Sequence, residues 1–301
     1  MFDLDFAFFH MVLVNKKGLA YRKFFLDRLT PILFSPRLEK IIKFHSLGVI
    51  GGNILLPLGQ NNWELLEPDM KNRLLTRSMD ILHSCQVPVL AVDRRLRNEF
   101  LTIFNHFPLI FGDNFIKTLT SVLVKQYASQ KGVKKIIITG EIPGIVELLE
   151  DLGELRIPIS IQNEHPSQSE IMAYHLLYEK GIAVSTSYIC PSDWEKGDLV
   201  ILLESRPAPP SAPAFVINLA GDSAWLAPEL AGTLESKGLD TSMNTLAPIL
   251  ESCLWAKAGF ADQGEEPNNA VISAETLSTV NLLNQVGEDI GLWDFFLDKD
   301  I

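Results

Sequence analysis

Short apolar runs alternate along this chain with stretches whose apolar residues recur at helical spacing. The clearest example starts at Lys134-Lys135, which lead into the continuous run Ile136-Ile137-Ile138, closed by Thr139-Gly140. Such a run suits a strand buried on both faces. A turn, Glu141-Ile142-Pro143-Gly144, comes next. Ile145, Leu148, Leu149 and Leu152 then fall on one helical face, with Gly153 as the stop. Ile157–Ile161 predicts a second strand. Ser167, with Glu170 three residues on, predicts a capping box opening another helix, Ile171–Lys180, which ends at Gly181. Strand, glycine turn, helix, strand, helix is the start of a parallel, doubly wound α/β sheet. Ile182–Tyr188, Asp198–Glu204 and Phe215–Leu219 predict its further strands, with a short turn at Pro191–Trp194 and a Pro/Ala-rich surface loop at Ser205–Pro213.

The region before this stretch is also α/β. Phe6–Val14 reads as a strand and Gly18–Leu29 as a helix, broken by Pro31 and Pro36. Leu47–Leu58 is an apolar run interrupted by Gly51-Gly52, which predicts a bulge or a close backbone approach. Glu67–Cys85 reads as a helix with Pro68 at its first position, and Val87–Val92 as a buried strand ending at Asp93-Arg94-Arg95. Phe107–Gly132 connects the two regions: a short run at Leu109–Phe111, a turn at Gly112–Asn114, then a long helix over Phe115–Ser129. Beyond residue 244 the pattern turns helical, with Thr245–Ala258, a polar loop at Gly264–Asn269, Ser273–Glu288, and an aromatic tail at Trp293–Phe296. The expected division is an N-terminal α/β domain over 1–110, completed by helices from 245–301, and a nucleotide-binding type of domain over 111–244.

Composition narrows the function classes. The 301 residues carry a net charge of −11, which argues against nucleic acid or an anionic membrane surface as the main partner. Cys85, Cys190 and Cys253 are odd in number, far apart and without metal-ligand spacing. That points to a reducing cytoplasm and no disulfide framework. The apolar Phe6–Val14 is short, with acids before it and lysines after it, the reverse of a signal peptide. No stretch approaches the ~20 apolar residues of a membrane span.

Candidate chemistry gathers at strand ends, where doubly wound sheets bind ligands. Thr139, Gly140 and Gly144 form the glycine turn, which is either an ordinary strand–helix turn or a crevice for a nucleotide. Two glycines remain of a G-x-G-x-x-G pattern, Glu141 adds negative charge, and Pro143 removes an N–H donor. Asn163 and Glu164 lie at the end of the next strand, Glu164 standing 24 residues beyond Gly140. There an acid favours the ribose 2′-hydroxyl of NAD over NADP. Asn53, Asp113, Asn114 and Lys117 fall at strand ends or on the connecting helix. None of the six histidines pairs at metal-ligand spacing, and His10, in its apolar strand, is either a core histidine or a group at the edge of a cleft. Cys253 is a candidate nucleophile or a buried structural thiol. No GxSxG elbow or Walker loop is present. A homo-oligomer and a monomer are both open.

The order of these pieces resembles the shikimate-dehydrogenase-like reductases, and most closely the long-chain acyl-carrier-protein reductases. The segments that carry the likeness are the strand holding His10, Gly52-Asn53-Ile54-Leu55-Leu56-Pro57-Leu58, Phe111-Gly112-Asp113-Asn114 before a long helix, Leu246–Gly259 followed by Ile272–Leu277, and the Trp293–Leu297 ending. The resemblance implies a two-domain Rossmann-like architecture, NAD(H) as cofactor, a small carbonyl, alcohol or acyl substrate in an interdomain cleft, and hydride transfer. In the acyl reductases a cysteine forms the thioester; anchored on Glu251, that position is Pro248 here. The alternative is a protein that keeps the fold and has lost catalysis, acting as a ligand sensor or scaffold.

Overall fold

The structure, a computed structural model, describes residues 4–12, 34–103, 107–204, 214–221, 228–259 and 278–297. The expected helix over Gly18–Leu29 and the loops over Ser205–Pro213 and Gly264–Asn269 lie outside them. The chain forms two compact α/β units: Met1–Gly112 with Gly232–Val271, and Asp113–Ala231 with Ile272–Ile301.

The first unit holds strands β1 (Phe6–Met11), β2 (Arg37–Phe44), β3 (Val49–Leu56), β4 (Leu90–Val92) and β5 (Leu109–Ile110), in the order β2-β3-β1-β4-β5. All pair in parallel except β2, which runs antiparallel to β3. Every residue of β1 is buried, as a parallel strand covered on both faces requires. Ala7, Phe9 and Met11 join Ile54, Leu56 and Val92 in one core with Leu74, Leu75 and Leu82 of the helix Pro68–Cys85 and Phe100 of the helix Arg97–Ile103. Phe6, Phe8 and His10 point to the other face, and the helix Met243–Lys257 packs against β1 and β4. Gly51 is a close approach rather than a bulge: an added Cβ would lie 2.5 Å from the Phe6 ring. The bulge sits in β2, where Glu39 is the extra residue between Leu38 and Lys40, opposite Ile54 and Asn53.

The helix Met243–Lys257 is tied down at two places. Asp93, at the end of β4, accepts from the Arg95 side chain at 2.8 and 2.6 Å and from the Thr245 hydroxyl at 3.1 Å. Gly112 (φ +83°) lies so close to the backbone of Ala247 and Pro248 that a Cβ would sit 2.5 Å away. Only glycine fits that contact, and Pro248 is a buried packing residue within this helix.

The second unit holds β6 (Lys135–Thr139), β7 (Ile159–Asn163), β8 (Val184–Tyr188), β9 (Asp198–Leu202) and β10 (Phe215–Asn218), in the order β10-β9-β6-β7-β8, parallel throughout. Numbered within the unit this is 5-4-1-2-3, the doubly wound Rossmann-like order. The order reverses between β6 and β9. The helices Asp113–Lys131, Ile145–Gly153 and Thr279–Asp289 pack together in this unit. Asp151 takes hydrogen bonds from Ser121 at 2.5 Å and Lys125 at 2.7 Å.

Two expectations are corrected. The helix over Thr279–Asp289 and the Trp293–Phe296 tail belong to the second unit, not the first: Phe115 stacks on Trp293 at 6.0 Å and meets Phe296 at 5.7 Å. No capping box forms at Ser167. The helix begins at Pro166 with His165 as its cap, because proline's fixed φ favours the first helical position and draws Ser167 inside. This helix, Pro166–His175, ends in a π-helical turn, Leu176–Lys180, closed by Gly181.

Removing the Asp93 carboxylate leaves Thr245 and Arg95 without their shared acceptor. Asp93→Ala is expected to lower the unfolding free energy by about 2 kcal/mol in urea denaturation, and Thr245→Val by about 1 kcal/mol.

Candidate functional site

Where the strand order reverses, the carboxyl ends of β6 and β9 frame a crevice, the usual ligand position in such sheets. The turn after β6 has the backbone a phosphate cradle needs: Gly140 has φ +92° and Gly144, capping the helix Ile145–Gly153, has φ +67°. The turn is nevertheless occupied from within the chain. The register sets Thr139 opposite Leu202, so two residues further on Glu204 reaches the glycine turn. Its Cγ lies 2.6 Å from where a Gly140 Cβ would be, and its carboxylate accepts the Glu141 N–H at 3.2 Å. The first backbone donor after the glycine therefore already serves an anion. Pro143 offers no donor. The Gly140 N–H is spent on the Gln162 carbonyl at 3.0 Å, and the Thr139 hydroxyl donates to the Ile201 carbonyl at 3.3 Å.

Lys117, 3% exposed, lies beside the same turn. Its ammonium is 3.3 Å from the Gly144 carbonyl and 3.4 Å from the Glu147 carboxylate. At the end of β7, Asn163 is buried, and its amide donates to the Ser169 hydroxyl at 2.8 Å. Gln162 beside it accepts from the Trp194 indole at 3.0 Å. Glu164 is exposed. Of the expected cofactor residues, Thr139, Gly140 and Gly144 share one turn, Asn163 faces inward, and Glu164 faces solvent.

The first unit gathers a second polar group. His10 and Asn53 lie on the β-sheet face opposite the Ala7–Phe9–Met11 core. Asn53 is fully buried, and among the described residues neither its amide oxygen nor its nitrogen has a hydrogen-bond partner. His10 stacks on Phe8 at 5.5 Å, and its Nδ1 is 3.2 Å from the Met11 carbonyl. With Nδ1–H as that donor, Nε2 is a bare acceptor, also without a partner. Burial lowers the His10 pKa below its usual value. Asp93 and the nearby Asn53 amide favour the charged form, but not enough to reverse this. Asn53 comes close to His10 without the geometry of a hydrogen bond. Met11, Val12, Gln60, Asp93, Arg95 and Leu96 line a cavity of about 30 Å³ at the end of β1 and β4, room for about one water.

Cys253 is fully buried on the helix Met243–Lys257. Desolvation, helped by Asp5 and opposed by Lys257, pushes its thiol pKa well up. A thiol held protonated is no nucleophile. Asp113 opens the helix Asp113–Lys131 in the second unit. Among the described residues no group of three or more His, Cys, Asp or Glu side chains is placed to hold a metal, and no helix is long and apolar enough to cross a membrane.

Two half-buried charges, Arg94 and Arg97, carry no local signal of their partners. Burial lowers the Arg94 pKa against the pull of Glu251 and Asp93. Burial and then Arg94 lower Arg97 to about 10, opposed by Glu251. Arg94 donates to the Phe111 carbonyl at 3.2 Å, and the Arg97 guanidinium sits over the Phe111 ring at 4.7 Å. The run Asp93-Arg94-Arg95 at a strand end was the available signal. For Glu204 the signal was weaker, since only the strand order makes β9 the neighbour of β6.

No family model and no curated protein sequence matches the chain. Among solved structures it is similar to shikimate dehydrogenase from Aquifex aeolicus (10% identity, 95% of this chain and 99% of that one, TM-score 0.36). It is similar also to L-tryptophan dehydrogenase from Nostoc punctiforme (12%, 95% and 88%, 0.40) and to 5-ketofructose reductase of Gluconobacter sp. strain CHM43 (11%, 95% and 98%, 0.36). These are dehydrogenases and a reductase, the class named by the sequence resemblance. At such identities and superpositions no activity passes from one chain to another.

The lowered His10 pKa has a stability consequence. Below its usual value of about 6.5 the unfolded chain takes up a proton that the folded chain resists, so folding stability falls as pH drops through that range. Urea unfolding between pH 7.5 and 5 is expected to show a loss of up to about 1.4 kcal/mol per pH unit from this group. The His10→Gln variant should lack that component.

Proposed function

We propose that the protein is a Rossmann-like α/β protein, oxidoreductase-like in architecture, that works as a ligand sensor or scaffold and does not transfer hydride. One observation carries this reading: the Glu204 carboxylate sits against Gly140 and takes the Glu141 N–H. A dinucleotide pyrophosphate binds through such N–H groups at a helix N-terminus. A resident carboxylate competes for the same donor and repels the same charge. Pro143, the inward-facing Asn163 and the protonated, buried Cys253 support the reading from independent positions. The His10–Asn53 group fits a small polar ligand, because it presents one bare ring nitrogen and an amide with both atoms unsatisfied. The free thiols at Cys85, Cys190 and Cys253 are in keeping with a cytosolic setting.

A second reading has its own support. Glu204 is a flexible side chain, and buried Lys117 places a cation beside the same turn. On this reading NAD(H) displaces Glu204, with the exposed Glu164 near the ribose.

A thermal-shift titration with NADH, NADPH, NAD and ATP separates the two. Ligand at a hundredfold excess over Kd stabilises a native state by about 2.7 kcal/mol. The sensor reading expects no saturable shift with any of the four at millimolar concentration. A saturable shift with NADH, tightened at least tenfold by Glu204→Ala, would sink it and establish the second reading.

A further inference from the structure

The two edges of the second sheet are treated differently. β10 is short, and its exposed Phe215 is covered by Tyr127 at 6.1 Å and by the Lys131 ammonium at 4.9 Å. A lysine laid across an edge strand is a usual protection against pairing with another chain. β8 has no such protection. From Ala183 to Cys190 the chain carries neither a charge nor a proline, and among the described residues β8 pairs only with β7. Its outer backbone groups form an open template.

The helix beside it adds apolar surface. Ile171, Tyr174, Leu177 and Tyr178 are 67%, 61%, 45% and 82% exposed, and Tyr188 at the end of β8 is 70% exposed. Tyr174 stacks on Tyr178 at 6.5 Å. Between strand and helix runs an open groove of about 790 Å³. Monomers rarely leave such surface contiguous and uncovered.

We propose that this edge is the interface of a two-fold homodimer, in which β8 of one copy pairs antiparallel with β8 of a second and the two sheets join into one of ten strands. The charges select a second copy over an unrelated partner. Arg156 and Glu170 both line the groove and are both exposed. Among the described residues neither has an ion-pair partner. A groove carrying one unpaired cation and one unpaired anion is complementary to itself under a two-fold rotation, as an isologous interface demands. Thr186, the middle residue of β8, lies at the axis, which sets Ser185 against Ser187 and Val184 against Tyr188 of the second copy. Opposite charges so placed fix register more than they add affinity.

Sedimentation velocity and light scattering on the full chain test this. The expected species is a dimer of twice 33.6 kDa. Ser187→Lys puts a charge on the edge and is expected to weaken dimerisation at least tenfold. Arg156→Glu and Glu170→Arg should each weaken it, and the double variant should restore it, because the swapped charges meet across the axis. These side chains are exposed, so circular dichroism and the melting behaviour of the monomer serve as controls for folding. A wild-type chain that stays monomeric overturns the proposal. So does a dimer unmoved by Ser187→Lys, or one that the double charge swap fails to restore.

Discussion

A parallel strand cannot be joined to its neighbour by a tight turn, and most of this molecule follows from that constraint. Each crossover must run the length of the sheet, and the helices Pro68–Cys85, Ile145–Gly153 and Pro166–His175 do so, each covering one face. Both faces are then buried, which is why β1, β7 and β9 are buried along their whole length, and β6 from Ile136 on, rather than in alternation. The same constraint collects the loops at the two ends of each sheet. In the second unit it brings the turn after β6 beside the end of β9. Glu141 and Glu204, 63 positions apart in sequence, thereby meet at one backbone N–H.

What meets there decides the chemistry. A glycine turn at a helix N-terminus offers positive potential and free donors, and any anion of the right reach can use them. Glu204 is such an anion, tethered to the strand next door. A tethered carboxylate has already lost its translational freedom, so a diffusing phosphate competes against a neighbour of high local concentration. Lys117, buried beneath the turn, offsets part of the negative charge but spends its donors on Gly144 and Glu147.

Several parallel strands of both sheets are legible because a buried parallel strand often writes itself as an apolar run. Ile136–Ile138 and Leu199–Leu202 could hardly be anything else. β2 was not legible: Arg-Leu-Glu-Lys-Ile-Ile-Lys-Phe has an exposed first half, and its place is set by antiparallel pairing with β3 rather than by its own pattern. The helix cap lies two residues before its expected place, at His165 rather than Ser167, because Pro166 takes the first helical position. Site residues were read in part. Gly140 and His10 stand out locally, by a strand-end glycine and by a polar ring in an apolar run. Glu204, Arg94 and Glu251 act through partners that are distant in sequence, and no local pattern carries that information.

The two units hold their polar groups by different means. In the first, charge is taken inside and satisfied there: Asp93 by Arg95 and Thr245, and the helix Met243–Lys257 is held to the sheet by that network. Buried groups so bound are costly to break and contribute rigidity. Against this background Asn53 is the exception, since an amide at the centre of a sheet with both atoms unsatisfied forfeits stability that the neighbouring Asp93 network keeps. A leucine there would bury without that cost. On the ligand-binding reading proposed above, this amide, next to a histidine kept neutral by burial, supplies preset donors and acceptors whose hydrogen bonds are completed only when the ligand arrives.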